Sequence, residues 1–373
     1  MAIYKIFPTQ DATMYSNYPV MNTGLDAICE TSNTLNLDGN PGASRFLTQF
    51  DTTEIQDIID NKISGNSYAV YFKNFIATAE GLNSDTTIEL KTVAQQWSNG
   101  TGYYLDSPQT NDGVSWYYTD TSGSTYWNES GSNSGGYYTS SFNSTYIALG
   151  GGNWYTSSAY QVTESFGLRT VKDIELDVSN TVNAWYSASL PNYGFLVKLT
   201  GSKEFNPSKN VQPTLKYYSV DTNTIYPPQL EFRWRDYTSV LTGSLSGSIV
   251  TSPKLKMSLT ENPETFTPDN INRFYLSVSP LYPARTYQTS SLFTNLNYLP
   301  TASYYAIKDL ATNEFVVNFD TQYTQISSDS TGNYFDVYMS GLEPERYYKI
   351  VIKTTINNST LIFDDDYYFK VTN

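Results

Sequence analysis

Histidine is absent from this 373-residue chain, and Cys29 is its sole cysteine. Those two counts remove most enzyme chemistry at once. Without an imidazole there is no Ser-His-Asp triad, no histidine general base, no His-x-x-x-His zinc site and no facial-triad iron site. One thiol cannot build a zinc knuckle or an iron–sulfur cluster, and it closes no internal disulfide; Cys29 is expected to be a small buried apolar residue. Neither a Gly-x-Ser-x-Gly elbow nor a Gly-Lys-Ser/Thr phosphate loop occurs. Gly150-Gly151-Gly152 fails the Gly-x-Gly-x-x-Gly spacing and reads as a flexible turn. No catalytic residue, metal ligand or cofactor site is assigned.

Two kinds of chemistry survive. Glycoside hydrolysis needs only two carboxylates flanking the bond, and 36 acidic residues supply pairs that sequence cannot choose between. Asp364-Asp365-Asp366 and Asp269-Asn270 could offer oxygens to calcium, but neither follows the Asp-x-Asp-x-Asp-Gly loop, so solvated turns are expected. The second kind is aromatic contact. An exposed ring can stack on a sugar or anchor a protein partner. Trp116, Trp127 and Trp154 sit in Gly-, Ser- and Tyr-rich sequence and are the candidate contact residues. Trp97, Trp185 and Trp234 lie in or beside regular strands and are expected as core anchors.

The elements that must position these residues are strands. Tyr (34), Phe (18) and Thr suit a pleated, half-buried surface, and long runs of good helix formers are missing. Strands are expected at 4–7, 44–50, 69–76, 86–93, 171–178, 193–199 and 230–234, with Val182 and Trp185 continuing the strand pattern. Between them, Pro8 to Gly24 reads as turn-rich and 97–160 as long loops with short strands. One helix is expected after Asp51. Thr53 and Gln56 fit a capping box, Ile55, Ile58, Ile59 and Ile63 share a face, and Gly65 ends it.

Beyond a Gly- and Ser-dense stretch the strand pattern resumes at 274–278, 304–308, 315–319, 334–339, 347–353, 361–363 and 367–371. The expected organisation is a first domain over 1–236, a linker over 237–250 and a second domain over 251–373. Leu342-Glu343-Pro344-Glu345-Arg346-Tyr347 resembles the tyrosine corner of fibronectin type III and related immunoglobulin-like domains, with Tyr347 as the anchoring phenol. The expected fold class is all-β, with one short helix in the first domain and an immunoglobulin-like sandwich as the second; a jelly-roll-like sandwich for the first domain is what the resemblance described below implies.

Net charge is −14, and no Lys/Arg cluster stands out along the chain. Phosphate backbones and anionic membranes repel such a surface, so neither nucleic acid nor membrane is an expected partner. No stretch approaches the roughly 18 apolar residues of a membrane span. The opening lacks a signal-peptide apolar run, and a large β-protein without disulfides fits a reducing cytoplasm. The Asn-x-Ser/Thr matches at Asn128, Asn143 and Asn358 then read as chance.

Five fragments in order resemble the DNRLRE-type β-sandwich domains, which are related to some carbohydrate-binding modules. They are Asp11-Ala12-Thr13-Met14-Tyr15 with Asn22-Thr23-Gly24; Ser44-Arg45-Phe46-Leu47 with Phe50-Asp51; Val93 and Trp97 with Gly113-Val114-Ser115-Trp116; Val182-Asn183-Ala184-Trp185 with Asn192-Tyr193-Gly194-Phe195; and Pro228-Gln229-Leu230-Glu231-Phe232. The likeness covers about the first 235 residues. More widely, Phe7-Pro8-Thr9, Tyr18-Pro19, Leu25-Asp26 and Glu343-Pro344-Glu345-Arg346-Tyr347-Tyr348 look like virion structural proteins of tailed bacteriophages, especially long-tailed phages of marine cyanobacteria. The extra Tyr/Gly/Ser material at 120–160 and Cys29 depart from the pattern. The resemblance implies a non-enzymatic part of the neck, tail or capsid, assembled in the host cytoplasm and held in the virion by other virion proteins and by further copies of itself. A glycan-binding module for host-surface polysaccharide is the second reading, and a carboxylate-dependent glycosidase the third.

Overall fold

The computed structural model describes all residues except 1, 36–40, 83–84, 128–149, 201–203, 205–212, 240–246, 261–262, 269, 283–295 and 373. Two compact units emerge: residues 6–62 with 69–231, and residues 1–5 and 63–68 with 232–373. The second unit therefore begins before residue 237, and it includes the first residues of the chain. The expected linker is also partly built into that unit. Thr238 Oγ1 lies 2.7 Å from the Tyr334 hydroxyl, and Gly247–Ile249 forms a strand parallel to Leu296–Tyr298.

Among the described residues up to 234 the strands are, in chain order, β1 (Ala2–Ile6), β2 (Gln10–Tyr15), β3 (Ile28–Leu35), β4 (Pro41–Gln49), β5 (Tyr68–Asn74), β6 (Ile76–Glu80), β7 (Thr86–Thr92), β8 (Tyr118–Asp120), β9 (Thr125–Tyr126), β10 (Gln161–Phe166), β11 (Ile174–Asp177), β12 (Phe195–Leu199), β13 (Thr214–Tyr218) and β14 (Gln229–Trp234). The first unit is a β-sandwich. One sheet runs β10-β7-β12-β4-β3-β13-β6 with β2 added on β4; the other holds β14, β5 and β11. Phe72 of β5 meets Phe195 of β12 at 5.6 Å, ring centre to ring centre, so apolar faces from both sheets close the core. The β2 strand was expected as turns. Its four central residues are all buried, so it shows no alternation to read.

Helix α1 (Thr52–Asp57) forms where expected, but its cap differs. The Asp51 carboxylate accepts the Thr53 N–H at 2.8 Å, so Asp51 is the N-cap rather than Thr53. A π-helical segment, Ile58–Ile63, continues it. A second helix, α2 (Ser179–Tyr186), replaces the strand expected around Val182 and Trp185. Val178, Val182 and Trp185 are all buried, and their spacing of four and three residues puts them on one helical face. The Asp177 carboxylate accepts the Ser179 N–H at 2.9 Å, giving the first turn a polar partner.

The second unit adds β15 (Gly247–Ile249), β16 (Leu255–Thr260), β17 (Thr265–Phe266), β18 (Ile271–Pro280), β19 (Leu296–Tyr298), β20 (Ser303–Asp309), β21 (Phe315–Val317), β22 (Ser327–Ser328), β23 (Asn333–Tyr338), β24 (Arg346–Ile356) and β25 (Ser359–Val371). Sheets of order β16-β18-β23-β22 and β17-β25-β24-β20-β21 reproduce the A-B-E-D and G-F-C arrangement of an immunoglobulin-like sandwich. Its core stacks Phe335 on Tyr305 at 4.3 Å and on Phe274 at 5.4 Å, with Phe369 5.7 Å from Phe274. Asn357 and Asn358 both take positive φ, as a two-residue hairpin turn between β24 and β25 requires. Asn358 is thus a turn residue; Asn128 and Asn143 lie outside the described residues.

The tyrosine corner is present, shifted by one residue. The Tyr348 hydroxyl donates to the Glu343 carbonyl at 3.0 Å, and Tyr348 is 2% exposed. Tyr347 is 55% exposed and lies on the outer face. Strand parity decides this: Tyr348 shares the inward side of β24 with Ile350 and Ile352.

Candidate functional site

The described loops between β7 and β10 carry the residues singled out for contact, and side-chain hydrogen bonds hold them to the sandwich. Asn22 ties them together. Its side-chain amide donates to the Asn99 carbonyl at 2.7 Å and the Val114 carbonyl at 2.8 Å, while its oxygen accepts the N–H groups of Gly24 and Gly102. All four bonds an amide can make are made within the fold. Thr23 adds a two-way bond to the Thr13 backbone on β2.

Trp116, Trp127 and Trp154 are 1%, 3% and 7% exposed, so their ring faces are closed to a partner. This corrects their expected contact role. They form one apolar cluster with Trp97, Met14, Leu47, Val93, Val114 and Leu196. Two indole N–H groups find carbonyls: Trp97 donates to Tyr193 at 2.9 Å and Trp127 to Ser115 at 3.1 Å. Trp185 packs on Phe195 at 4.8 Å and Trp234 on Tyr338 at 5.3 Å, so the three expected anchors are buried.

Arg45 runs through this cluster, fully buried. Its guanidinium lies 4.8 Å from the Trp116 ring centre and 5.3 Å from Trp154. Nε and Nη2 donate to the two Glu204 oxygens at 2.6 and 3.1 Å, and Nη1 donates to the Gly151 carbonyl at 2.5 Å. Lys198 adds a second cation 3.0 Å from Glu204. Burial pushes the Glu204 carboxyl up, but Arg45 and Lys198 together hold it below its ordinary value. The Gly150-Gly151-Gly152 run is part of this packing and not a flexible turn. All three glycines have positive φ, and a Cβ on Gly151 would sit 2.7 Å from both Arg45 Nη1 and the Trp116 ring.

What the loops present outward is tyrosine. Tyr18, Tyr103, Tyr104, Tyr117 and Tyr126 are exposed, with Val20 and Leu105 among them. Tyr104 lies 5.0 Å from Tyr15 and 6.0 Å from Tyr18, and Tyr126 lies 4.5 Å from Tyr118. Carboxylates pin the backbone between the rings. Asp26 accepts the Tyr104 N–H at 3.2 Å, Asp106 the Tyr103 N–H at 2.7 Å, Asp112 the Thr101 N–H at 3.1 Å and Asp120 the Ser122 N–H at 2.9 Å. Burial raises the Asp26 carboxyl to about 6, against the Tyr104 amide and helped by Asp106. From Thr92 to Leu168 the chain has no Lys or Arg. The loops therefore offer an acidic, tyrosine-faced surface.

Asp364 pairs with Lys349 at 2.5 Å, and Asp269 lies outside the described residues. Among the described residues no three His, Cys, Asp or Glu side chains converge as metal ligands, and no helix is long and apolar enough to cross a membrane. Cys29 is buried beside Asp11.

No protein-family model matches the chain, and no curated protein is significantly similar to it. A solved structure described as a putative β-galactosidase from Bacteroides fragilis aligns with 97% of this chain and 41% of its own, at 8% identity and a TM-score of 0.17. The chain thus spans well under half of that protein, and a likeness so weak carries no argument about fold or function.

Proposed function

We propose that this chain is a non-enzymatic structural component of a bacteriophage virion, in its neck, tail or capsid, acting through protein–protein contacts in a multi-copy assembly. The observation that carries the contact role is the set of exposed tyrosines on loops tied down by side-chain hydrogen bonds. Aromatic side chains with few rotatable bonds give contact area at low entropic cost, and tyrosine is enriched at interfaces for that reason. The virion setting rests on the resemblance of Phe7-Pro8-Thr9, Tyr18-Pro19 and Glu343-Pro344-Glu345-Arg346-Tyr347-Tyr348 to tail-phage virion proteins. Quantitative mass spectrometry of purified particles, heads and tails separated, tests it. A stoichiometric amount in one fraction supports the proposal, and absence from both removes it.

Glycan binding is the second reading, favoured by the carboxylates set among exposed rings. Tyr104 and Tyr126, not the buried Trp residues, would then stack on sugar. Alanine at either should weaken binding by about 1–3 kcal/mol, by analogy with stacking on bases. A glycan array with no binding would dismiss this reading.

A further inference from the structure

The two units differ sharply in charge. Residues 6–62 and 69–231 carry 22 Asp and Glu against 10 Lys and Arg; the rest of the chain carries 14 against 12. Within that second, near-neutral unit, cations gather on the outer face of the β17-β25-β24-β20-β21 sheet. Lys353 lies 5.3 Å from the Tyr304 ring centre and 4.7 Å from Phe319; Lys308 lies 4.6 Å from Phe315. Lys349 lies 5.7 Å from Tyr368, and Lys370 lies 5.8 Å from Tyr347. Phe315, Tyr347, Ile362 and Tyr368 are exposed on the same sheet.

Two features of this face make little sense for folding alone. Lys308 and Lys349 are directly opposed across β20 and β24, and like charges in register destabilise a sheet. Asp364 and Glu345 offset Lys349 and Lys370, but among the described residues Lys308 and Lys353 have no carboxylate within ion-pair distance. The two ammonium groups themselves lie over rings, and Lys308 Nζ also donates to Asn313 Oδ1 at 3.5 Å; each keeps further N–H donors that an anion can take.

We propose that this lysine-and-aromatic face docks the acidic tyrosine surface of a second copy of the chain. The proposal rests on the assembly reading above and names its interface. One surface has aromatic rings with Asp26, Asp106, Asp112 and Asp120 and no cation in its stretch of sequence. The other has aromatic rings with four lysines. Their charges are opposite and both are ring-lined, so the contact pairs unlike patches. Such a contact is heterologous: the two patches that meet are different.

The test is sedimentation of the full chain at 20 mM and 500 mM salt. The wild type should associate at low salt and dissociate at high salt, since screening shortens from roughly 20 Å to roughly 4 Å over that range. Two variants separate the surfaces. K308E/K353E reverses the lysine face; D106N/D112N/D120N removes charge from the loops while keeping one acceptor oxygen at each position for the backbone N–H it binds. With circular dichroism confirming folded chains, each alone should associate at least tenfold more weakly than wild type. Mixed, they should form 1:1 pairs, because each retains the surface the other lacks. K308Q/K353Q repeats the test if the reversal fails to fold. A wild type monomeric at low salt, variants that associate like wild type, or a mixture that stays monomeric would each overturn the interface. None of these would bear on whether the protein is found in particles.

Discussion

Replacing Asp11 by Asn should stabilise the first unit at neutral pH, and most of the gain should disappear in acid. Asp11 sits on β2 at 1% exposure. One carboxyl oxygen accepts the Val220 N–H at 2.7 Å, and the Cys29 thiol also faces the carboxyl. Burial raises the carboxyl from 3.8 to about 8, outweighing the Val220 bond; Asp221 adds to the rise and Cys29 opposes it. The folded chain therefore keeps a proton that the unfolded chain releases near 3.8. Stability then falls as pH climbs from 3.8 towards 8, by about 1.4 kcal/mol per unit. Integrated to pH 7, the cost is roughly 4 kcal/mol, and at pH 4.5 about 1 kcal/mol. Asn has the same shape, keeps the acceptor for Val220 and titrates nowhere.

The assay is urea unfolding of wild type and D11N between pH 4.5 and 8. Five of the six Trp lie in the first unit, so their emission reports it, and pulsed alkylation of the single, buried Cys29 gives a second local probe. The stability gap should widen with pH. Asp26, also raised by burial, contributes equally to both proteins and cancels. A gap that stays constant across the range would refute the reasoning, because it would mean Asp11 is already charged in the fold or protonated in neither state.

Arg45→Met should cost about 3–5 kcal/mol in the same assay, because it takes from the buried Glu204 carboxylate its two-bonded cation and leaves it, among the described residues, with Lys198. Since the fold lowers the Glu204 carboxyl, its stabilising contribution is present above about 4.5 and is lost as pH falls through the lowered value, the opposite sense to Asp11. Tyr348→Phe should cost about 1 kcal/mol for the lost bond to Glu343, and Tyr347→Phe close to nothing; equal effects in denaturant melts would reject the one-residue shift. Gly65→Ala meets only the left-handed backbone penalty of about 1–2 kcal/mol, its Cβ having nothing within 4 Å. Gly151→Ala adds contact with Arg45 and Trp116, so its melting temperature should fall well below that of Gly65→Ala.

How much of this was legible depended on whether one face of an element was wet. β5 alternates buried and half-buried residues and could be read directly; β2 is buried on both sides and could not. Tyr348 was recoverable from its parity with Ile350 and Ile352, and α2 from the helical spacing of Val178, Val182 and Trp185. The partnership of Arg45 with Glu204 had no local signal, since 159 residues separate them. Nor could composition tell which Trp-rich loops bury their rings, because the hydrogen bonds that fold those loops back come from Asn22 on a distant segment.

That folding back explains the division of labour among the aromatics. In three adjacent pairs, Trp116 with Tyr117, Trp127 with Tyr126, and Trp154 with Tyr155, the indole points in and the phenol lies further out. At Tyr126–Trp127 and Trp154–Tyr155 the strand-like backbone turns neighbours to opposite sides, and at Trp116–Tyr117 a bend does so. Indole is the larger apolar body and has a single donor, which a loop carbonyl can satisfy, as for Trp127. Phenol both donates and accepts, which is better met by water or a partner. The inner Trp layer, clamped by Arg45, fixes the loops without a disulfide. The outer Tyr layer then starts in nearly its final geometry, so a partner would repay little ordering entropy on contact. The aromatic excess in the sequence thus serves stability and recognition on opposite faces of the same few loops.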